Sequence, residues 1–262
     1  MVDVQNSEDH RNIPVQKVGV RNVSYPITVL DKDHRVQSTI ATIDLYANLP
    51  HNYKGTHMSR FIEVFQEYAG DIRMPRFLHM LEEVRQRLEA ERAFGRLAFP
   101  YFVEKHAPVS GLASMMRYDC SFSGVVEKEV QEFFVGITVP VTTLCPCSKE
   151  ISARGAHNQR GFCTVTVEVE EFFWMEDIIQ LVESCASADL YSLLKRVDEK
   201  HVTEQAYDNP VFVEDLVRNV TAAIEEAYRF SWFSVEATNQ ESIHNHDAYA
   251  RVERGRPPLE RP

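Results

Sequence analysis

The stretch Val36-Gln37-Ser38-Thr39-Ile40-Ala41-Thr42-Ile43-Asp44-Leu45-Tyr46-Ala47-Asn48-Leu49 is rich in β-branched residues, as are residues 15–30 before it. Such runs suit a pleated, half-buried surface. Asp31-Lys32-Asp33-His34 between them is turn material, because Asp side chains hydrogen-bond their own downstream backbone. The two runs therefore read as one long hairpin. A hairpin makes an antiparallel sheet, and an antiparallel sheet needs cover on one face only.

The next segments supply that cover. Met58, Phe61, Ile62, Phe65 and Tyr68 share one helical face that ends at Gly70. Phe77, Leu78, Leu81, Val84 and Leu88 form a second stripe. Strand patterns return at residues 97–103, 111–125 and 132–143, where Phe133, Val135, Ile137, Val139 and Val141 alternate with their neighbours. Residues 162–172 alternate again through Cys163, Val165, Val167 and Val169. Helical patterns follow over residues 175–197, with a break near Asp189, and over 211–228, with Leu216, Val220, Ala223 and Ala227 on one stripe. Residues 230–238 make a last strand. The order is one β-β-α-α-β unit used twice, without sequence repetition, and the class is α+β with antiparallel sheets and helices packed on one face. Residues 1–14 read as a flexible leader, and the charged, proline-rich residues 251–262 as a disordered tail.

Lys plus Arg is 28 against 39 for Asp plus Glu, a net charge of −11, which opposes a nucleic-acid binder needing a basic face. A small phosphorylated ligand is still allowed, since a few local cations suffice. No apolar run of membrane-spanning length occurs, and residues 1–12 are polar with no secretory apolar core, so no membrane partner is expected. The five cysteines, an odd number, do not read as a disulfide framework, and a reducing cytoplasm is the expected compartment.

Chemistry concentrates in a few segments. Cys145-Pro146-Cys147 follows a strand, and His157 lies twelve residues on, among Lys149, Glu150, Arg154, Gln159 and Arg160. A thiol and an imidazole begin a transition-metal site, and a polar loop is a poor place merely to bury thiols. No second Cys or His pair follows, so a closed four-ligand site is not signalled and the remaining ligands come from elsewhere. Asp198, Glu199 and Glu204 flank a Lys-His-Val-Thr step, and Glu214 and Asp215 open a helix; each also reads as an ordinary solvated or dipole-complementing acid. His244 and His246 stand at i and i+2 beside acids, as ligands, proton-transfer groups or plain surface residues. Residues 54–60 open a helix with Lys54, His57 and Arg60, suited to phosphate, or to capping by Thr56 with exposed basic residues.

Taken together, Lys54-Gly55-Thr56-His57-Met58-Ser59-Arg60-Phe61, Cys145-Pro146-Cys147-Ser148-Lys149, Gly155-Ala156-His157-Asn158-Gln159-Arg160, Val202-Thr203-Glu204-Gln205-Ala206-Tyr207 and Glu241-Ser242-Ile243-His244-Asn245-His246-Asp247 resemble the prokaryotic GTP cyclohydrolase IB family. The resemblance implies tandem tunnelling-fold units, residues 15–108 and 109–250, the second carrying most of the active site. It implies a homotetramer with interfacial active sites, and conversion of GTP and water to formate and 7,8-dihydroneopterin triphosphate. It implies one divalent transition metal per site (zinc, manganese or iron) on Cys145, His157 and Glu199, with Asp198 the competing carboxylate. Glu214 would anchor guanine and His244 would move protons. Lys54, His57, Arg60, Lys149 and Arg160 would hold the triphosphate, and Cys147 would stand beside the catalytic thiol. Two other readings are weighed: a metal-free tunnelling-fold enzyme using a cysteine nucleophile, and a non-enzymatic purine- or pterin-binding module that keeps Glu214 as its anchor.

Overall fold

The computed structural model describes Gln5, residues 7–70 and residues 72–259. Its strands are Val15–Asp31 (β1), Arg35–Leu49 (β2), Arg92–His106 (β3), Ala113–Glu127 (β4), Val130–Leu144 (β5), Asn158–Glu168 (β6), Trp232–Gln240 (β7) and Asp247–Gly255 (β8). Hydrogen-bonded neighbours follow chain order from β1 to β8. The helices are Met58–Tyr68 (α1), Met74–Arg87 (α2), Pro146–Ile151 (α3), Met175–Ser184 (α4), Arg196–Asp208 (α5) and Val213–Ala227 (α6).

Two compact units emerge. One comprises the described residues up to Pro100 with Ser121–Val135 and the chain from Pro257; the other comprises Tyr101–Cys120 and Gly136–Arg256. A single cut between residues 108 and 109 was expected. It does not hold, because β3, β4 and β5 each carry residues of both units. Each of these strands has 15 residues, about 50 Å at 3.3 Å per residue.

In the first unit the long hairpin forms as its sequence dictates. β1 and β2 pair antiparallel from Val15 opposite Leu49 to Asp31 opposite Arg35. Asp31 Oδ1 accepts the N–H groups of Asp33 (2.9 Å) and His34 (2.7 Å), closing the turn. The register slips between Val20 and Val23, where Asn22 takes φ 58° and donates its N–H to Asp44. Ala41, Ile43, Leu45 and Ala47 are buried. Phe61, Val64, Phe65 and Tyr68 of α1 and Phe77, Met80, Leu81 and Val84 of α2 are buried too, whereas Met58, expected on the inner stripe, is exposed.

The close approach of α2 to β3 depends on Gly95. A Cβ there would stand 2.7 Å from Leu81 Cδ2, 3.1 Å from Leu45 Cδ2 and 3.1 Å from Phe77 Cζ. Gly95→Ala should therefore cost about 1–3 kcal/mol through overpacking, outweighing the fraction of a kcal/mol gained from a stiffer unfolded chain. A lower urea midpoint with an unchanged slope is the expected result; an unchanged midpoint would show that the contact is soft.

Both ends of the chain differ from expectation where they are described. Gly55 donates its N–H to Gln5 (3.0 Å) and Lys54 to Ser7 (3.1 Å), and Asp9 donates to Asn52 (3.1 Å). The leader is thus held against residues 52–55, satisfying the N–H groups of Lys54 and Gly55 and the carbonyl of Asn52; residues 1–4 and 6 lie outside the described residues. Residues 251–255, expected in a disordered tail, complete β8, paired from Gln240 opposite Asp247 to Trp232 opposite Gly255. Its alternating charges suit an edge strand: Glu253 accepts from the Trp232 indole at 3.1 Å and meets Arg251 at 3.3 Å. Leu259 donates its N–H to the buried Glu132 carboxylate at 2.8 Å, and residues 260–262 lie outside the described residues.

In the second unit, β6, β7 and β8 run antiparallel; Cys163, Val165 and Val167 of β6 are buried, as are Ile178 and Val182 of α4 and Leu216, Val220 and Ile224 of α6. The α6 stripe is turned from the expected one: Ile224 is buried and Ala227 exposed. The helix expected over 175–197 stops at Ser184. Its continuation spends its backbone on the end of β5, with Ala188 bridged to Thr142 and the Ser187 hydroxyl accepting from Leu144 N–H at 3.0 Å. No helix among the described residues is long and apolar enough to cross a membrane.

Candidate active site

Leu144 ends β5, and Pro146 occupies the first position of α3, where its missing N–H costs nothing. Cys145 is therefore the N-cap, and its sulfur accepts the Ser148 N–H at 3.4 Å. The Ser148 hydroxyl donates to the Cys145 carbonyl (3.1 Å) and accepts the His157 N–H (3.2 Å), while Cys145 N–H donates to the His157 carbonyl (3.1 Å). A closed backbone clasp thus brings the thiol and the imidazole segments together across twelve residues of chain. Cys145 is half-buried and Cys147 exposed.

His157 is oriented from a second direction. Its Nδ1 lies 3.2 Å from Gln159 Oε1 and 3.9 Å from Glu241 Oε2. Gln159 is buried on β6, and Glu241 follows β7. A ring held through Nδ1 by an amide oxygen, with a carboxylate 3.9 Å away, presents Nε2 as its remaining ligating position, as in many metal-binding histidines. The donors are a thiol and an imidazole, which suit a divalent transition metal. Sequence reasoning met Gln159 and Glu241 only as members of polar segments; their convergence on His157 depends on the β6–β7 pairing, in which Arg160 faces Gln240.

The other expected residues are distributed. Glu199 is exposed in the first turn of α5. The described residues of one chain contain no group of three or more His, Cys, Asp or Glu side chains placed to hold a metal, so Glu199 is not gathered with Cys145 and His157 as expected. The alternative carboxylate, Asp198, is buried and committed: Oδ1 accepts from Val109 N–H (2.9 Å) and Ser110 N–H (2.8 Å), and Oδ2 from the Ser110 hydroxyl (2.7 Å) and Lys195 N–H (2.9 Å). Burial alone would raise its pKa, but these donors hold it well below the usual carboxylate range.

Lys149 joins α3 to α5, donating to the Tyr207 carbonyl and lying 4.4 Å from the centre of the Tyr207 ring. Arg160 is exposed on β6, and Glu214 is exposed in the first turn of α6. His244 and His246 stack with ring centres 5.1 Å apart in the exposed turn that begins at Glu241. In the first unit, His57 rather than Thr56 is the N-cap of α1, without a side-chain cap bond. His57 and Arg60 line a cavity of about 220 Å³ with Tyr53 and Gly55, and Arg60 also donates to the Arg87 carbonyl at 2.9 Å. Lys54 is exposed.

Residues 1–250 match the family described as Type I GTP cyclohydrolase folE2. A GTP cyclohydrolase FolE2 from Syntrophus aciditrophicus is 59% identical over 254 residues, covering 97% of this chain and 100% of the relative. One from Geotalea uraniireducens is 54% identical, covering 97% and 93%. It is as FolE2, rather than under the IB label, that the sequence resemblance is shown. Among solved structures, uricase from Arthrobacter globiformis has a TM-score of 0.54 at 8% identity, covering 94% of this chain and 96% of its own. Urate oxidase from Bacillus subtilis 168 has a TM-score of 0.53 at 9% identity, covering 92% and 99%. At such identities the likeness concerns the fold alone, and it establishes the α+β tunnelling-fold class.

Proposed function

Because the chain belongs to the FolE2 family of type I GTP cyclohydrolases, we propose that the Cys145–His157 site hydrolyses GTP at guanine C8, giving formate and 7,8-dihydroneopterin triphosphate, the entry to pterin and folate synthesis. The observation that carries this assignment to the site is the clasp joining Cys145 to His157, with the imidazole oriented by Gln159 and Glu241. Cys145, His157 and Glu199 would hold one divalent transition metal, and zinc, manganese and iron all suit that donor set. Such an ion supplies Lewis acidity and a water of lowered pKa.

The chain's own residues divide the rest of the work. Glu214 accepts hydrogen bonds from guanine N1–H and the exocyclic amine, which selects the base. His244 delivers a proton to N7 as electron density arrives there. Lys54, His57, Arg60, Lys149 and Arg160 neutralise the triphosphate, and Cys147 stands beside the reacting thiol. The enzyme works as a cytoplasmic homotetramer with active sites completed between copies and with neither membrane nor nucleic acid as partner; its net charge of −11 supports the last point.

Incubation of the reduced protein with GTP and Mn²⁺ should release formate and yield, after oxidation, pterin fluorescence. Neither product appearing would refute the proposed reaction and favour a purine-binding module.

A further inference from the structure

Of the 13 residues of α5, only Asp198 and Ala206 are buried. A helix normally holds its place by burying an apolar stripe. This one lacks such a stripe, so polar contacts must locate it. At its C-terminal end Lys149 engages Tyr207, and Asn209 donates through Nδ2 to the Ala186 carbonyl at 2.8 Å. At its N-terminal end Asp198 alone enters the interior. Of its four accepted hydrogen bonds, between 2.7 and 2.9 Å, the three from Val109 N–H, Ser110 N–H and the Ser110 hydroxyl fasten the first turn to the β3–β4 connection, and the fourth, from Lys195 N–H, caps the helix itself.

That connection is shaped to donate. Gly111 takes φ 68°, and its N–H returns to the Ala107 carbonyl at 3.0 Å while Ala107 N–H pairs with Leu112 at 3.0 Å. The tight turn turns the consecutive N–H groups of Val109 and Ser110 onto one carboxylate oxygen. Glu199, the next residue along α5, takes no part in the fastening and is exposed.

We infer that Asp198, buckled to Ser110, is a positioning residue that sets the first turn of α5 and thereby the place of the Glu199 carboxylate for metal binding. The inference rests on the reading of Cys145, His157 and Glu199 as the ligands. Residues that orient ligands typically change metal affinity by about 10–100-fold when lost. Asp198→Asn keeps the volume but turns an amide N–H₂ toward donors, so the whole buckle loosens.

The test is the affinity of the full-length protein for Zn²⁺ alone, measured against a chromophoric chelator, alongside circular dichroism and thermal unfolding. Asp198→Asn should weaken zinc binding by about 10–100-fold with the fold retained. Ser110→Ala should weaken it less, and Ser110→Thr, which keeps the hydroxyl, should restore it. A merely structural role would lower the unfolding temperature and leave zinc affinity at the parental value; that result, with binding lost in Cys145→Ala, overturns the inference. If Asp198→Asn does not fold, parental affinity in Ser110→Ala overturns it equally. Parental affinity in Cys145→Ala itself would remove the metal reading, and this inference with it.

Discussion

Cys145→Ala should lose about a thousand-fold or more of its turnover while keeping its fold. The thiol's contribution to the fold is one weak contact, the Ser148 N–H to sulfur at 3.4 Å, on a half-buried side chain. The clasp that shapes the loop runs through backbone atoms and the Ser148 hydroxyl, which alanine leaves in place. The chemical loss is larger. A metal's stabilisation of the reaction is worth several kcal/mol, and each 1.36 kcal/mol is a factor of about ten in rate. Formate release, zinc content and circular dichroism measure the three parts separately. Near-parental formate release would remove Cys145 from the mechanism. A different outcome separates the rival chemistry: if metal-stripped parent stays fully active while Cys145→Ala is inactive, the thiol acts as a covalent nucleophile.

Glu214→Ala should chiefly destroy recognition of the base. Glu214 is exposed in the first turn of α6, where it is dispensable for packing; the buried residues of that helix are Val213, Leu216, Val217, Val220, Thr221 and Ile224. Two hydrogen bonds from guanine to a charged acceptor are worth about 1.5–3 kcal/mol each, so kcat/KM for GTP should fall by about 10²–10⁴. Inosine triphosphate lacks the exocyclic amine and tests the assignment directly. The parent should prefer GTP strongly, and Glu214→Ala should nearly lose that preference. Retained GTP affinity together with retained discrimination would mean that another residue reads the base.

Much of this molecule is legible in its sequence, for identifiable reasons. The β1–β2 hairpin, α1 and α2 announce themselves because each buries one apolar face, and Phe61, Phe65, Phe77 and Leu81 stand where their spacing puts them. α5 is invisible to that logic, since it buries one carboxylate and one alanine and no stripe. β8 is invisible too, because an edge strand tolerates the charges of Arg251, Glu253 and Arg254 that read as a solvated tail. In the site, Cys145 and His157 stand out by residue type and nearness in the chain. Glu241 lies 84 residues beyond His157, and only strand pairing brings it within 3.9 Å of the ring. The commitment of Asp198 to the interior was likewise illegible in neighbouring letters, because it depends on hydrogen bonds to residues almost ninety positions away.

The pairing of residues 5–9 with residues 52–55 has a practical side. Any affinity tag or reporter joined ahead of Gln5 hangs from the short ladder whose other rail carries the amides of Lys54 and Gly55. A fusion partner at that end is therefore better removed before GTP is added and nucleotide affinity is measured.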